Sequence, residues 1–171
     1  MKEGDYMDPS QEVFKAIKES GIDFIVSVPC ANLQKLIPMV DSDPDIIHVP
    51  ATREEEGIGI CAGAYMGGKK PAIMMQNSGM GNSINALASL NRLYNIPLLI
   101  IISHRGVEGE PICAQVPMGE KTPLLLEVLD IPAYKPDLAQ SRKTIEKATK
   151  KAFEEGKQAA ILLSIGFWRE S

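Results

Sequence analysis

The chain has 171 residues with 18 basic and 22 acidic side chains, a net charge of −4 at pH 7, and a hydrophobic fraction of 44%. These are the values of a globular protein with a continuous core, and they disfavour a nucleic-acid-binding role. The longest apolar run, residues 96–103, is too short to cross a bilayer. Cys30, Cys61 and Cys113 form no C-x-x-C pair and read as reduced thiols of a cytoplasmic protein.

Residues 10–20 put Val13 and Ile17 on one face with Phe14 beside them, and Gly21 stops the helix. FIVSV at 24–28 is a β-branched strand closed by Pro29, and LQKLIPMV at 33–40 returns to helical spacing. IIHV at 46–49 predicts the next strand, and TREEE at 52–56 opens a helix. AIMMQ at 72–76, a helix over 82–94 and the strand LLIII at 98–102 follow. A long connection, 103–121, leads to a short helix near 122–129 and a weak strand near 131–135. A helix over 139–156 and the strand AILLS at 160–164 complete the alternation. The Lys/Arg-rich segment 142–151 alternates with Glu146 and apolar residues and reads as a solvated helix face.

Strands that are apolar on both faces belong to parallel sheets covered by helices on both sides. The pattern therefore predicts a three-layer, doubly wound α/β sandwich with a mainly parallel six-stranded sheet, in one domain over 1–171. In such folds ligands lie beyond the carboxyl ends of the strands. That rule singles out Pro29 and Cys30, residues 50–54, residues 76–81 and residues 103–106.

Three consecutive glutamates lead into the apolar helix after residue 53. Thr52 and Glu55 have capping-box spacing, and Glu56 fits first-turn compensation of the helix dipole. Glu54 differs, because steps of four, seven and eleven residues from it reach Ile58, Cys61 and Tyr65. A carboxylate in line with an apolar stripe is costly unless something binds it, so Glu54 is a candidate functional acid. The glycines at 57, 59, 63, 67 and 68 permit close approach of another backbone. QNSGMGNS at 76–83, between a strand and a helix, is a place for an anion or a polar ring. It lacks the third glycine and the ribose-binding acid of a dinucleotide fingerprint, and no P-loop motif occurs. The two histidines, His48 and His104, have no second ligand at metal-site spacing, so no metal site is expected from this chain alone. The 103–121 connection carries His104, Arg105 and several acids, as a binding loop would.

Together VSVPCANL (26–33), TREEEGIGICAGAYMGGK (52–69), QNSGMGNSINALASL (76–90) and ISHRGVEGEPICAQVPMG (102–119) resemble the pyrimidine-binding domain of thiamine-diphosphate-dependent decarboxylases. The resemblance implies that Glu54, nine residues before Gly63, is the catalytic glutamate that hydrogen-bonds the pyrimidine ring of thiamine diphosphate and controls its tautomer. It implies a cofactor-binding set of Pro29, Glu54, Gln76, Asn77, Ser78 and Gly79, and a substrate-binding set of Cys30, His104 and Arg105. No G-D-G motif occurs. The diphosphate and Mg²⁺ are therefore expected on a second chain, a beta subunit in a hetero-oligomer. Where many relatives have a histidine pair, this chain has His104-Arg105. A guanidinium suits a 2-oxo acid with a sulfonate tail, the alternative being a phosphonate tail. Arg105 has a second reading, an ion pair with Glu108 or Glu110 that only orders the loop. A nucleotide-binding regulatory module is the competing function from another class.

Overall fold

Side chains that alternate along each strand divide the interior in two. On β1 (Phe24–Ser27) and β3 (Pro71–Gln76), Ile25, Ala72 and Met74 face one layer, while Val26, Ile73 and Met75 face the other. β4 (Leu98–His104) and β6 (Gln158–Ser164) repeat the division, with Ile101 and Ile161 on the first side and Ile100 and Ile102 on the second. Both faces need a helical cover, which explains why no strict polar–apolar alternation appears in these runs.

The computed structural model describes residues 8–169. The sheet has six strands in the order β2-β1-β3-β4-β6-β5, with β2 at Ile47–Pro50 and β5 at Ala133–Tyr134. Every strand pairing is parallel. One face is covered by α1 (Pro9–Glu19), α2 (Leu36–Asp41) and α7 (Ser141–Glu155). The other carries α3 (Glu54–Met66), α4 (Asn77–Asn82), α5 (Ile84–Ala86) and α6 (Val116–Val128). A terminal helix, α8 (Ile165–Arg169), follows β6. No helix among the described residues is long and apolar enough to cross a membrane.

Local chemistry explains the boundaries. Asp8 caps α1 by accepting from the Ser10 N–H at 2.8 Å, and Gly156 ends α7 in the left-handed conformation at φ +62°. On α7, Ile145, Ala148 and Ala152 are buried, while Lys150 and Lys151 on the outer side pair with Glu154 and Glu155.

Three sequence expectations change. The segment 76–83 is not a loop, since α4 begins at Asn77 and the helical path runs through α5 into a π-helical segment, Leu87–Arg92. The long connection is shorter than expected, because α6 starts at Val116. Pro117 sits in its first turn, where a missing N–H costs nothing. Finally, Thr52 does not cap α3. Arg53 takes the N-cap position with extended backbone and no side-chain cap bond, and Glu55 instead pairs with Arg53 at 2.6 Å.

Candidate active site

β1 leads back to β2 on one side and its other neighbour is β3, so the sheet order reverses between β1 and β3. In an open parallel sheet that reversal opens a crevice at the carboxyl edge. Cys30 follows β1 and Gln76 ends β3, and they meet across this crevice, with Cys30 Sγ 3.6 Å from Gln76 Oε1. Cys30 Sγ also lies 3.3 Å from Ser103 Oγ on β4, and Asn32 Nδ2 donates to the same hydroxyl at 3.1 Å. Gln76 Nε2 donates to Ser78 Oγ at 2.7 Å and to Gln115 Oε1 at 3.0 Å. Pro29 is exposed at the mouth of the crevice. The edge is thus a connected belt of polar side chains from three neighbouring strands.

Glu54 reaches this belt from the second helical layer. α3 approaches the sheet closely at Gly57, where an added Cβ would meet Ile73 Cδ1 at 2.7 Å and Val26 Cγ1 at 3.0 Å. That approach sets the first turn of α3 against α4. A Cβ at Gly79 would collide with Cγ, Cδ and Oε1 of Glu54, so the carboxylate lies directly on the Gly79 backbone. Glu54 is half-buried, and its carboxylate has no hydrogen-bond or ion-pair partner among the described residues. Of the three glutamates only this one is both shielded and free. Glu55 is held by Arg53, and Glu56 is exposed. Within the helix stripe, Ile58 and Cys61 are buried but Tyr65 is exposed. Gly59, Gly63 and Gly68 face open space, so of the five helix glycines Gly57 is the one that a neighbouring element approaches closely, through the side chains of Ile73 and Val26 rather than through backbone.

Asn77 and His104 turn inward. Asn77 is fully buried; its Nδ2 donates to the Arg105 carbonyl and to Thr122 Oγ1, and its Oδ1 accepts from the Arg105 N–H. All its side-chain donors are consumed in bracing β3 to the end of β4, so any contact it makes with a bound group comes from its backbone. His104 is also buried, and its Nε2–H donates to the Gly119 carbonyl at 3.0 Å. Burial pushes its pKa below the usual 6.5, so the ring stays neutral.

Arg105 does form the loop ion pair, and Glu110 is the partner. Nε and Nη2 each donate to a separate oxygen of Glu110 at 2.7 Å, a two-bond fork. Glu110 also accepts from the N–H groups of Gly106 at 3.0 Å and Ile112 at 3.1 Å. The Arg105 guanidinium, followed by these backbone donors, holds the Glu110 carboxyl down to about 2. The turn depends on Gly106, whose φ of +75° brings its backbone against Gln115 and Gly119 with no room for a Cβ. The Cys30 thiol is a further hydrogen-bonding neighbour of the guanidinium.

Ser103 falls among the strand-end residues 103–106 singled out above, whereas sequence reading missed Asn32 and Gln115, which lie on the short 3-10 turns Ala31–Leu33 and Cys113–Gln115. Sequence reading also missed a chain from Asp41 Oδ1 through His48 to Ser27 Oγ, with both bonds 2.8 Å. The order is that of a hydrolytic triad, but Ser27 is 1% exposed and offers a substrate no approach. It fastens the edge strand β2 to β1. Among the described residues, no three His, Cys, Asp or Glu side chains are grouped to hold a metal ion.

Residues 7–132 match the family model of the thiamine pyrophosphate enzyme N-terminal TPP-binding domain. The chain is 52% identical over 163 residues to the sulfopyruvate decarboxylase subunit alpha of Methanothermobacter thermautotrophicus, covering 95% of this chain and 99% of that one. It is 39% identical to the sulfopyruvate decarboxylase of Methanosarcina acetivorans, covering 96% of this chain but 42% of that longer one. Among solved structures, the thiamine diphosphate-dependent 4-hydroxybenzoylformate decarboxylase of Rhodococcus jostii RHA1 superposes with a TM-score of 0.71 at 16% identity. That match covers 95% of this chain and 31% of the other, and it speaks for the fold.

Proposed function

The chain belongs to the thiamine pyrophosphate enzyme family, within its N-terminal TPP-binding domain, and on that premise we propose that it is the alpha subunit of a sulfopyruvate decarboxylase. The reaction converts 3-sulfopyruvate to sulfoacetaldehyde and carbon dioxide on the route to coenzyme M. Near-complete mutual coverage with the alpha subunit of M. thermautotrophicus supports this reading over a phosphonopyruvate decarboxylase or a nucleotide-binding module.

The observation that carries the catalytic assignment is Glu54: a half-buried carboxylate, free of protein partners, resting on a glycine that leaves it room. A polar heterocycle suits that place, because it can take the hydrogen bond the protein leaves unmade. Thiamine diphosphate, when bound, supplies the electron sink for loss of carbon dioxide from a 2-oxo acid. Glu54 holds the proton shared with the ring nitrogen of the aminopyrimidine. Gln76, Ser78 and Gly79 line the same edge, Asn77 contributes its backbone at the start of α4, and Pro29 closes the opposite lip. Cys30 and Arg105 face the substrate, and His104, the third residue of that set, is held inward on the Gly119 carbonyl.

Residues 1–171 act as one pyrimidine-binding domain, and a second chain supplies the diphosphate and Mg²⁺ site. The longer M. acetivorans relative, of which this chain covers 42%, supports the partner. Mixing the purified chain with the candidate partner, thiamine diphosphate and Mg²⁺ tests the reading. Sulfopyruvate decarboxylation is expected only from the mixture, and equal activity from this chain alone would contradict the two-chain assignment.

A further inference from the structure

A cavity of about 340 Å³ opens beside the belt of polar residues, with Asn32 and Arg105 on its wall. It is bounded by the start of α1, the turn after β1, and α8, with Asp8, Asn32, Lys35, Arg105, Trp168 and Arg169 on its wall. We propose that this cavity is the seat of the substrate's sulfonate tail, with Arg169 and the indole N–H of Trp168 as the residues that set specificity for it. The proposal rests on the sulfopyruvate reading and adds the site that reads the tail.

The lining is rich in groups that only donate. Three cations, Lys35, Arg105 and Arg169, face one carboxylate, Asp8. Asp8 is already engaged, with one oxygen capping α1 through the Ser10 N–H and the other accepting from Lys35 Nζ at 3.2 Å. Arg105 has given Nε and Nη2 to Glu110. Arg169 has no ion-pair partner among the described residues. One full positive charge in the wall is therefore uncommitted.

Trp168 supplies the second, independent sign. Its Nε1–H is shielded from solvent and has no acceptor among the described residues. Buried N–H groups nearly always find a partner, and an indole can only donate. Phe167 meets the ring edge-on at 5.3 Å with an interplanar angle of 88°. An acceptor-only anion in the cavity pairs with Arg169 directly, and it satisfies the indole once a small turn of the ring brings the sealed N–H to the cavity. A sulfonate fits that description: three oxygens, one permanent negative charge and no proton to donate. Its volume is small against the cavity, which leaves length for the carbon it hangs from.

The cavity also adjoins the reaction edge. Asn32, on its wall, donates to Ser103 Oγ, and Ser103 contacts Cys30 at the crevice between β1 and β3. Asn32 is therefore shared by the crevice and the cavity wall, and the sulfonate, two bonds from the keto carbon, enters the cavity at its side.

Trp168 is the chain's single tryptophan, so its emission reports directly on the cavity. Titrating the full-length chain with sulfoacetate is expected to change that emission saturably, with acetate at equal concentration giving no such change. Arg169→Ala is expected to weaken the sulfoacetate response at least tenfold. No saturable change, an equal response to acetate, or an unaltered affinity in Arg169→Ala would overturn the assignment. Phosphonoacetate separates the tail chemistries: tighter binding than sulfoacetate would overturn sulfonate as the preferred occupant. In the two-chain enzyme, Arg169→Ala and Trp168→Phe should each lower the ratio of kcat/KM for sulfopyruvate to that for pyruvate at least tenfold. An unchanged ratio in both overturns the tail site while leaving the decarboxylase reading standing. Failure of the wild-type pair to turn over sulfopyruvate defeats the decarboxylase reading, and the fluorescence titration then decides the cavity by itself.

Discussion

The carboxylate of Glu54 lies on the backbone of Gly79, in space that any side chain at position 79 would fill. Position 79 is inside α4 and its φ is not positive, so backbone geometry does not require glycine there. An alanine would raise helix propensity by roughly 0.5–1 kcal/mol, and Glu54 can swing outward to relieve the clash. Gly79→Ala should therefore keep or raise the thermal midpoint of the chain while lowering decarboxylation by about 10²-fold, the scale of a misplaced reacting group. Calorimetry beside steady-state kinetics makes the comparison. Loss of stability in step with activity would mean that Gly79 serves packing alone.

Arg105 and Glu110 form a shielded pair, with side chains 11% and 1% exposed. Removing either partner strands the other. Arg105→Ala should cost about 1–3 kcal/mol of stability, the penalty of an unsatisfied buried group, and a double-mutant cycle with Glu110→Ala should recover much of it. Arg105→Lys keeps the charge but not the fork and should fall between. Since Arg105 also lines the cavity proposed for the tail, Arg105→Ala should also cut sulfopyruvate turnover more than pyruvate turnover. Equal losses on the two substrates would confine Arg105 to ordering the loop.

Acid should weaken the fold in two windows. Burial lowers the His104 pKa below 6.5, so the unfolded imidazole takes its proton first and stability declines as pH falls through that value. The Glu110 carboxyl, held to about 2 by Arg105 against an ordinary 4.5, contributes fully above 4.5 and progressively less as pH falls toward 2. Thermal midpoints measured from pH 7 to 3 should drop in both ranges. His104→Gln should flatten the first decline, and Glu110→Gln the second. A profile level across the whole range would refute both attributions.

The three thiols should separate by reactivity. Burial pushes the Cys61 thiol up to about 12, and Cys61 and Cys30 are both shielded, whereas Cys113 is exposed. A thiol reagent at pH 8 should modify one group rapidly in the native chain and none rapidly in Cys113→Ser. Fast labelling of Cys61 would indicate that α3 opens readily from the sheet.

The sheet was readable because its signal is dense: six short apolar runs, each flanked by Gly, Pro or polar residues, appear as six parallel strands. The helix starts were harder to read. Gly79 and Gly81 looked like loop residues, yet they are small because Glu54 and Met118 press on the first turns of α4. The connection read over 103–121 already contains the first turn of α6, where Pro117 sits at a position that tolerates proline. Glu54 stood out through its alignment with Ile58 and Cys61, a periodic feature that sequence carries. Its lack of a partner did not, since that depends on where Arg53 and the α4 backbone settle. Trp168 and Arg169 were invisible for a related reason, because α8 is too short for a periodic pattern and its meaning comes from Asp8, Lys35 and Arg105, all distant in sequence.

Exchange of the C2 proton of thiamine diphosphate for deuterium, followed in the two-chain complex, tests the role of Glu54 most directly. Glu54→Gln is nearly isosteric and should assemble normally, but an amide cannot share the carboxyl's proton with the cofactor ring. Exchange should slow by about 10²–10⁴-fold, the usual contribution of one acid–base group, while Glu56→Gln exchanges at the wild-type rate. Equal exchange rates in Glu54→Gln and wild type would contradict the assignment of Glu54 as the activating carboxyl.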